Sequence, residues 1–188
     1  MPGKNQEFGK YGARGRPGGE AVARQLDRLT TFIATPITST RGLMARLRYL
    51  TSSSRSRAAA KAAGLDVTDR TVREWQRGTR SPSKANLDRI ERAYRTVRRR
   101  NVERHLLQRL NDGGTRIEIH PMNQSGVDRP RTRDVPMRTM NVRHWDAIVH
   151  AWAEGDDDDL QEAWVDEIAD LGSDWGQYEY VTNVGFAA

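Results

Sequence analysis

Apolar positions recur along this chain first with the period of a helix and then, beyond residue 114, with the period of a strand. From Glu20 to about Ala34, Val22, Leu26, Leu29 and Ile33 repeat at i,i+3/i+4, which predicts an amphipathic helix ended by Pro36. A second helix is expected from about Thr40 to Leu50, with Leu43, Leu47 and Leu50 inward and Arg41, Arg46 and Arg48 outward. The stretch RAAAKAAGLDVTDRTVREWQRG, Arg57 to Gly78, then reads as a helix-turn-helix. Its alanines allow close helix packing, Gly64 suits a left-handed exit, and Thr68 suits the cap of a second helix whose Val72 and Trp75 face inward. The Ser-rich TSSSRSR at 51–57 reads as the loop leading into it.

After Pro82 a long helix is expected from Ser83 to about Leu110, with a stripe of Leu87, Ile90, Tyr94 and Val97 that resumes at Val102, Leu106 and Leu110. The resumed stripe reads equally as core or as a dimer seam. NDGG at 111–114 is the clearest break. Beyond it Ile117 and Ile119 alternate with Glu118 and His120, and Val135, Met137, Met140 and Val142 mark a second extended segment. Helices from His144 to Glu154 and from Asp159 to Leu171, and a last strand around Tyr178 to Phe186, complete the pattern. The expected fold is a mainly α N-terminal helix-turn-helix domain, 20–110, followed by a smaller α+β domain, 111–188. Residues 1–19, rich in glycine and basic groups, are expected to form a disordered basic arm, either passive or touching phosphates through Arg14 and Arg16.

Charge sharpens this division. The formal net charge is +6, but residues 1–110 hold 25 Lys+Arg against 9 Asp+Glu, whereas residues 111–188 hold 6 against 16. A basic first part carrying a helix-turn-helix is the footprint of a polyanion binder, and an acidic second part faces solvent or another partner. The alternatives are an αα-hairpin that only fills a core and a generic basic surface. The absence of cysteine excludes disulfides and thiolate metal sites, and no apolar run is long enough to span a bilayer, so a cytoplasmic, nucleoid-associated protein is expected.

The candidate DNA-binding residues are Thr68, Asp69, Arg70, Thr71, Arg73 and Arg77 of the second helix, with Arg80, Lys84, Arg55 and Arg57 beside it. Arginine can donate twice to guanine O6 and N7, and a helix N-terminus suits phosphate. Arginines 89, 92, 95, 98, 99, 100 and 104 crowd the long helix, either as a solvated face or as phosphate contacts. The aspartates at 156–159 lack calcium-loop spacing and suit a helix start, and His144 and His150 are not at i,i+4, so no intrinsic metal or catalytic site is expected.

TPIT at 35–38 followed by LMARLRYL, VTDRTVREWQRG at 67–78, the basic helix behind it, and a strand, two helices and a strand ending in Gly185 and Phe186 resemble the telomere terminal proteins of linear bacterial chromosomes and plasmids. The resemblance spans about 150 residues of short motifs. It implies binding to double-stranded telomeric DNA, and protein priming, in which a side-chain hydroxyl receives the first nucleotide from a DNA polymerase and stays linked to the 5′ end. It also implies a telomere-associated partner protein and Mg²⁺ supplied with the polymerase. In that family the primed threonine lies between the first two strands of the second half; here that loop is MNQSGVDRPRTRD, with Ser125 and Thr132 as the available hydroxyls. Alternative roles are a helix-turn-helix transcriptional regulator of a plasmid or mobile element, acting as a homodimer on paired sites, and a structural DNA-end or partition adaptor.

Overall fold

The computed structural model describes residues 9, 11–169 and 177–186. In chain order these form β1 (Arg16–Pro17), α1 (Gly18–Thr30), α2 (Thr40–Thr51), α3 (Ser54–Ala62), α4 (Asp69–Arg77), α5 (Lys84–Asn111), β2 (Thr115–Pro121), β3 (Arg138–Val142), α6 (Asp146–Glu154), α7 (Asp157–Ala169) and β4 (Tyr180–Phe186). The described residues are thus mostly helical, with a small antiparallel sheet of four strands in the order β1-β4-β2-β3. Two compact units emerge: residues 30–104, and residues 1–29 together with 105–188.

In the unit 30–104, each helix begins where a hydroxyl replaces the missing backbone acceptor. Ser39 accepts from the Gly42 N–H, Ser53 from Ser56, Thr68 from Thr71 and Ser83 from Asn86. The core is one cluster of Leu47, Leu50, Ala60, Leu65, Val72, Trp75, Ile90, Ala93, Tyr94 and Val97. Phe32 and Tyr49 meet the Tyr94 ring edge-on, and the Tyr94 hydroxyl accepts the Ile33 N–H at 3.0 Å.

Arg46, expected outward, is instead 4 % exposed. Its guanidinium donates to Glu91 of α5, to the carbonyls of Ile33, Thr35 and Gly42, and sits 5.3 Å from the Tyr94 ring centroid. Helical spacing places Arg46 beside Leu43, Leu47 and Leu50; the irregular segment before α2 then covers it and supplies the acceptors, which spacing alone does not reveal. The same segment explains Ile33. Thr31 takes a left-handed φ of 53°, costly for a β-branched residue, so α1 stops at Thr30 and Ile33 packs on this unit's core rather than extending the stripe of α1.

In the other unit, α1 packs by unusually close contact with α7 and β4. A Cβ at Gly18 would lie 1.9 Å from Trp164 Nε1, and the Gly19 N–H donates to Gln161 Oε1 at 2.8 Å. Gln25 donates to the Val184 carbonyl, and Trp152 Nε1 donates to Asp27. This division cuts the chain at 29/30 and 104/105 rather than at the expected 19/20 and 110/111. Val22 and Leu26 are buried as expected, but periodicity says that a face is covered and not by what. Leu106 and Leu110 of the resumed stripe are buried within the chain, while Val102 is half-buried.

Thr51 and Ser54–Arg57 of the expected 51–57 loop are helical, because Ser53 caps α3 there and leaves only Ser52 and Ser53 between α2 and α3. Ile117 and Ile119 are fully buried in β2. Val135 and Met137 precede β3 rather than belonging to it, because Pro136 between them has no N–H to give a ladder. Asp156 accepts from the N–H groups of Asp158 and Asp159, starting α7 two residues early; Leu171 lies outside the described residues. Of the expected disordered arm, residues 1–8 and 10 lie outside the described residues, while 11–19 are ordered, with β1 paired to β4.

Removing Glu91 leaves the Arg46 guanidinium buried without its carboxylate. Glu91→Ala is expected to cost about 3 kcal/mol or more in urea unfolding, whereas Arg95→Ala, at a half-exposed partner of the same carboxylate, costs less than about 1 kcal/mol. Equal costs would show that burial of Arg46 does not set the energetics.

Candidate nucleic-acid interface

The unit 30–104 carries 18 Lys+Arg against 6 Asp+Glu, a formal +12. Its shortest structural pair is α3 and α4. Gly64, at φ 90°, takes the chain out of α3, and the Leu65 N–H donates back to the Ala60 carbonyl at 3.0 Å while its side chain enters the core. Thr68 then caps α4, and Gly78, at φ 72°, closes it with bonds to the carbonyls of Glu74 and Trp75. Val72 and Trp75 are buried, as the spacing predicts. Helical geometry therefore turns Asp69, Arg70, Arg73 and Arg77 to solvent, where all four are exposed.

Exposed is not the same as available. Arg70 Nε donates to Glu74 at 3.0 Å, and Arg80 approaches the other oxygen of the same carboxylate at 3.8 Å. Arg57 lies 3.7 Å from Asp69. Thr71 shares its hydroxyl with the Thr68 cap at 2.9 Å. Arg55, Arg73, Arg77 and Lys84 are exposed and form no side-chain hydrogen bond or ion pair among the described residues. The candidate cations thus fall into two classes: three arginines held by Asp69 and Glu74, and four with no side-chain partner among the described residues.

The holding role of Glu74 did not emerge from the sequence reading, although Arg70 and Glu74 stand at i,i+4. The arginines of α5 are also sorted. Arg95 pairs with Glu91 and lies over the Phe32 ring, Arg98 donates to the Thr30 carbonyl, and Arg89 donates to Asn86. Those three support the unit itself, while Arg92 and Arg104 are exposed.

The two candidate hydroxyls lie in the other unit, in the segment between β2 and β3. Gln124 ties this segment across its base: its side-chain amide donates to the Arg133 carbonyl and accepts the Arg133 N–H, both at 2.8 Å. Thr132 follows a 3₁₀ turn at Arg129–Arg131 and donates its hydroxyl to the carbonyls of Val127 and Asp128. Ser125 is exposed, its N–H is held by Asn123 Oδ1 at 2.8 Å, and its hydroxyl has no partner among the described residues. The chain brings neither hydroxyl together with a carboxylate pair or a metal-binding group among the described residues.

Comparison with protein-family models, curated proteins and solved structures finds no match to this chain.

Because Thr68 is the only side chain accepting from the first turn of α4 among the described residues, Thr68→Ala is expected to destabilise the chain by about 1 kcal/mol. Urea unfolding followed by circular dichroism measures it, and an unchanged midpoint would refute the capping role.

Proposed function

We propose that the chain binds double-stranded DNA sequence-specifically, with α3, the turn at Gly64 and α4 acting as a helix-turn-helix whose second helix enters the major groove. The observation that carries this reading is the solvent face of α4: Arg73 and Arg77 stand exposed and uncompensated on a unit of formal charge +12, while Val72 and Trp75 anchor the opposite face in the core. Recognition helices are used in this way, with base contacts from one face and phosphate contacts from flanking cations. Arg55 and Lys84 are suited to phosphates. Arg70, Arg80 and Arg57 exchange an internal carboxylate for DNA or keep it.

The resemblance to telomere terminal proteins extends the proposal to the ends of a linear replicon. There the hydroxyl oxygen of Ser125 attacks the α-phosphorus of a nucleoside triphosphate, a phosphodiester bond forms, pyrophosphate leaves, and the hydroxyl proton passes to a base of the partner polymerase. Mg²⁺ comes with that polymerase and its nucleotide. Ser125 is preferred to Thr132 because its hydroxyl is exposed and uncommitted, whereas the Thr132 hydroxyl already donates to two carbonyls. The chain itself supplies an acceptor, not a catalyst.

Fluorescence anisotropy on duplexes drawn from the ends of the host replicon tests the first proposal. Arg73→Ala and Arg77→Ala are each expected to weaken binding by roughly 1–3 kcal/mol where the residue reads a base. Where it meets a phosphate, the loss is instead uniform across sequences and the salt slope falls by about 0.9. Unchanged affinity in both variants removes α4 from the interface. Priming is tested with the host polymerase, Mg²⁺ and a labelled nucleotide. Covalent label is expected on the wild type and on Thr132→Ala but not on Ser125→Ala. If the wild type takes no label while a footprint covers paired half-sites about one helical turn apart beside a promoter, the protein is a regulator.

A further inference from the structure

The unit that contains the sheet has a formal charge of −6, from 13 Lys+Arg against 19 Asp+Glu, yet one part of it is reversed in sign. Residues 11–16 and 122–138 hold six arginines against Asp128 and Asp134. The two stretches are brought together by backbone. The Arg14 N–H donates to the Asn123 carbonyl at 2.8 Å and the Asn123 N–H returns to Arg14 at 2.9 Å. Gly12 lies so close to Gly126 that a Cβ on Gly12 would fall 2.4 Å from the Gly126 oxygen. The Arg131 guanidinium sits 4.7 Å from the Tyr11 ring centroid.

Of the six arginines, Arg16 is paired with Glu20 and Arg131 with Asp128. The other four, Arg14, Arg129, Arg133 and Arg138, are exposed and form no side-chain hydrogen bond or ion pair among the described residues. The same region holds both large apolar side chains that are exposed among the described residues, Tyr11 at 45 % and Met137 at 50 %. Unneutralised arginines in one region with a half-exposed aromatic ring are what a nucleic-acid strand with open bases requires. Guanidinium groups meet successive phosphates, and a ring offers a face to a base whatever its identity. A duplex hides its base faces, so the ring adds nothing there.

We infer that the ordered N-terminal segment and the 122–138 segment form a surface for single-stranded DNA, distinct from the face of α4, with Arg14, Arg129, Arg133 and Arg138 on the phosphates and Tyr11 under a base. This surface stands without the duplex reading, since no residue of the unit 30–104 takes part. Ser125 lies in the same segment, two residues from the Asn123 that pairs with Arg14, so the inference names the partner of that loop whether or not Ser125 is ever modified.

The full chain is titrated with a fluorescent single-stranded oligothymidylate over a range of salt. The wild type is expected to bind with a salt slope reflecting several phosphates, and Arg129→Ala/Arg133→Ala to bind about tenfold more weakly with the slope reduced by about 1.4, or roughly 0.7 for each lost contact. Tyr11→Ala should lose about tenfold at every salt concentration with the slope unchanged, and Tyr11→Phe should retain binding. Arg73→Ala/Arg77→Ala keeps the single-strand affinity even if duplex binding is lost, which separates the two surfaces. All substituted side chains are exposed, and matching thermal unfolding curves check that the variants are folded. The inference is overturned if the wild type does not bind the oligonucleotide, if the arginine variant binds it as the wild type does, or if poly-glutamate at equal charge competes as well as unlabelled oligothymidylate, which would make the surface a site for acidic protein.

Discussion

A guanidinium buried at Arg46 organises the unit 30–104. It is extracted from water, which costs several kcal/mol unless its donors are met, and here they are met by one carboxylate and three carbonyls. Those acceptors come from three different parts of the chain: the irregular segment before α2, the first turn of α2 and the first third of α5. The interaction therefore fixes α2 against α5 in direction as well as distance, which apolar contact between Leu47, Leu50, Ile90 and Tyr94 alone does not do. The short α4 has nine residues and little helical stability of its own. It holds its place because Val72 and Trp75 enter the same cluster, so the orientation of its outward face is inherited from the framework that Arg46 locks.

Charge along the rest of that unit follows a consistent logic. Glu91 serves Arg46 and Arg95, Glu74 serves Arg70 and Arg80, and Asp69 lies beside Arg57. Glu91 and Glu74 each draw two arginines from different elements or turns, while Asp69 draws Arg57 alone. Arg55, Arg73, Arg77 and Lys84 are among the cations of the unit that no acid of the described residues pairs with. At exposed pairs the internal attraction is weak, so the paired arginines are pre-positioned more than withheld.

Much of this was legible in the residues. The boundaries of α2, α4 and α5, the burial of Val72 and Trp75, and the strand alternation at Ile117 and Ile119 follow from period, caps and glycine. Three things did not follow. The burial of Arg46 depends on carbonyls from a segment with no periodicity. The membership of α1 in the sheet unit rests on Gly18 and Gly19 meeting Trp164 and Gln161, and a glycine pair in a sequence reads as a helix breaker before it reads as a close contact. The order in residues 11–17 comes from backbone pairing with Asn123 and with β4, a long-range partner that composition cannot reveal. At the candidate sites, exposure was readable from helical phase, but the distinction between held and unheld arginines required the positions of the acids.

Under the proposed duplex reading, the acids on α4 would bear on discrimination rather than on bulk attraction. A carboxylate on a helix that approaches DNA repels phosphate at any sequence, so Asp69 and Glu74 lower the sequence-independent attraction that a +12 unit otherwise has in excess. The same carboxylates hold Arg70, Arg57 and Arg80 in defined positions, which reduces the side-chain entropy lost when those arginines meet a base edge or a phosphate. On that reading both effects would act in one direction, raising the ratio of specific to non-specific binding while leaving Arg73 and Arg77 to supply attraction. A surface built only for a polyanion gains nothing from acids at its centre; a surface that must choose among sequences does.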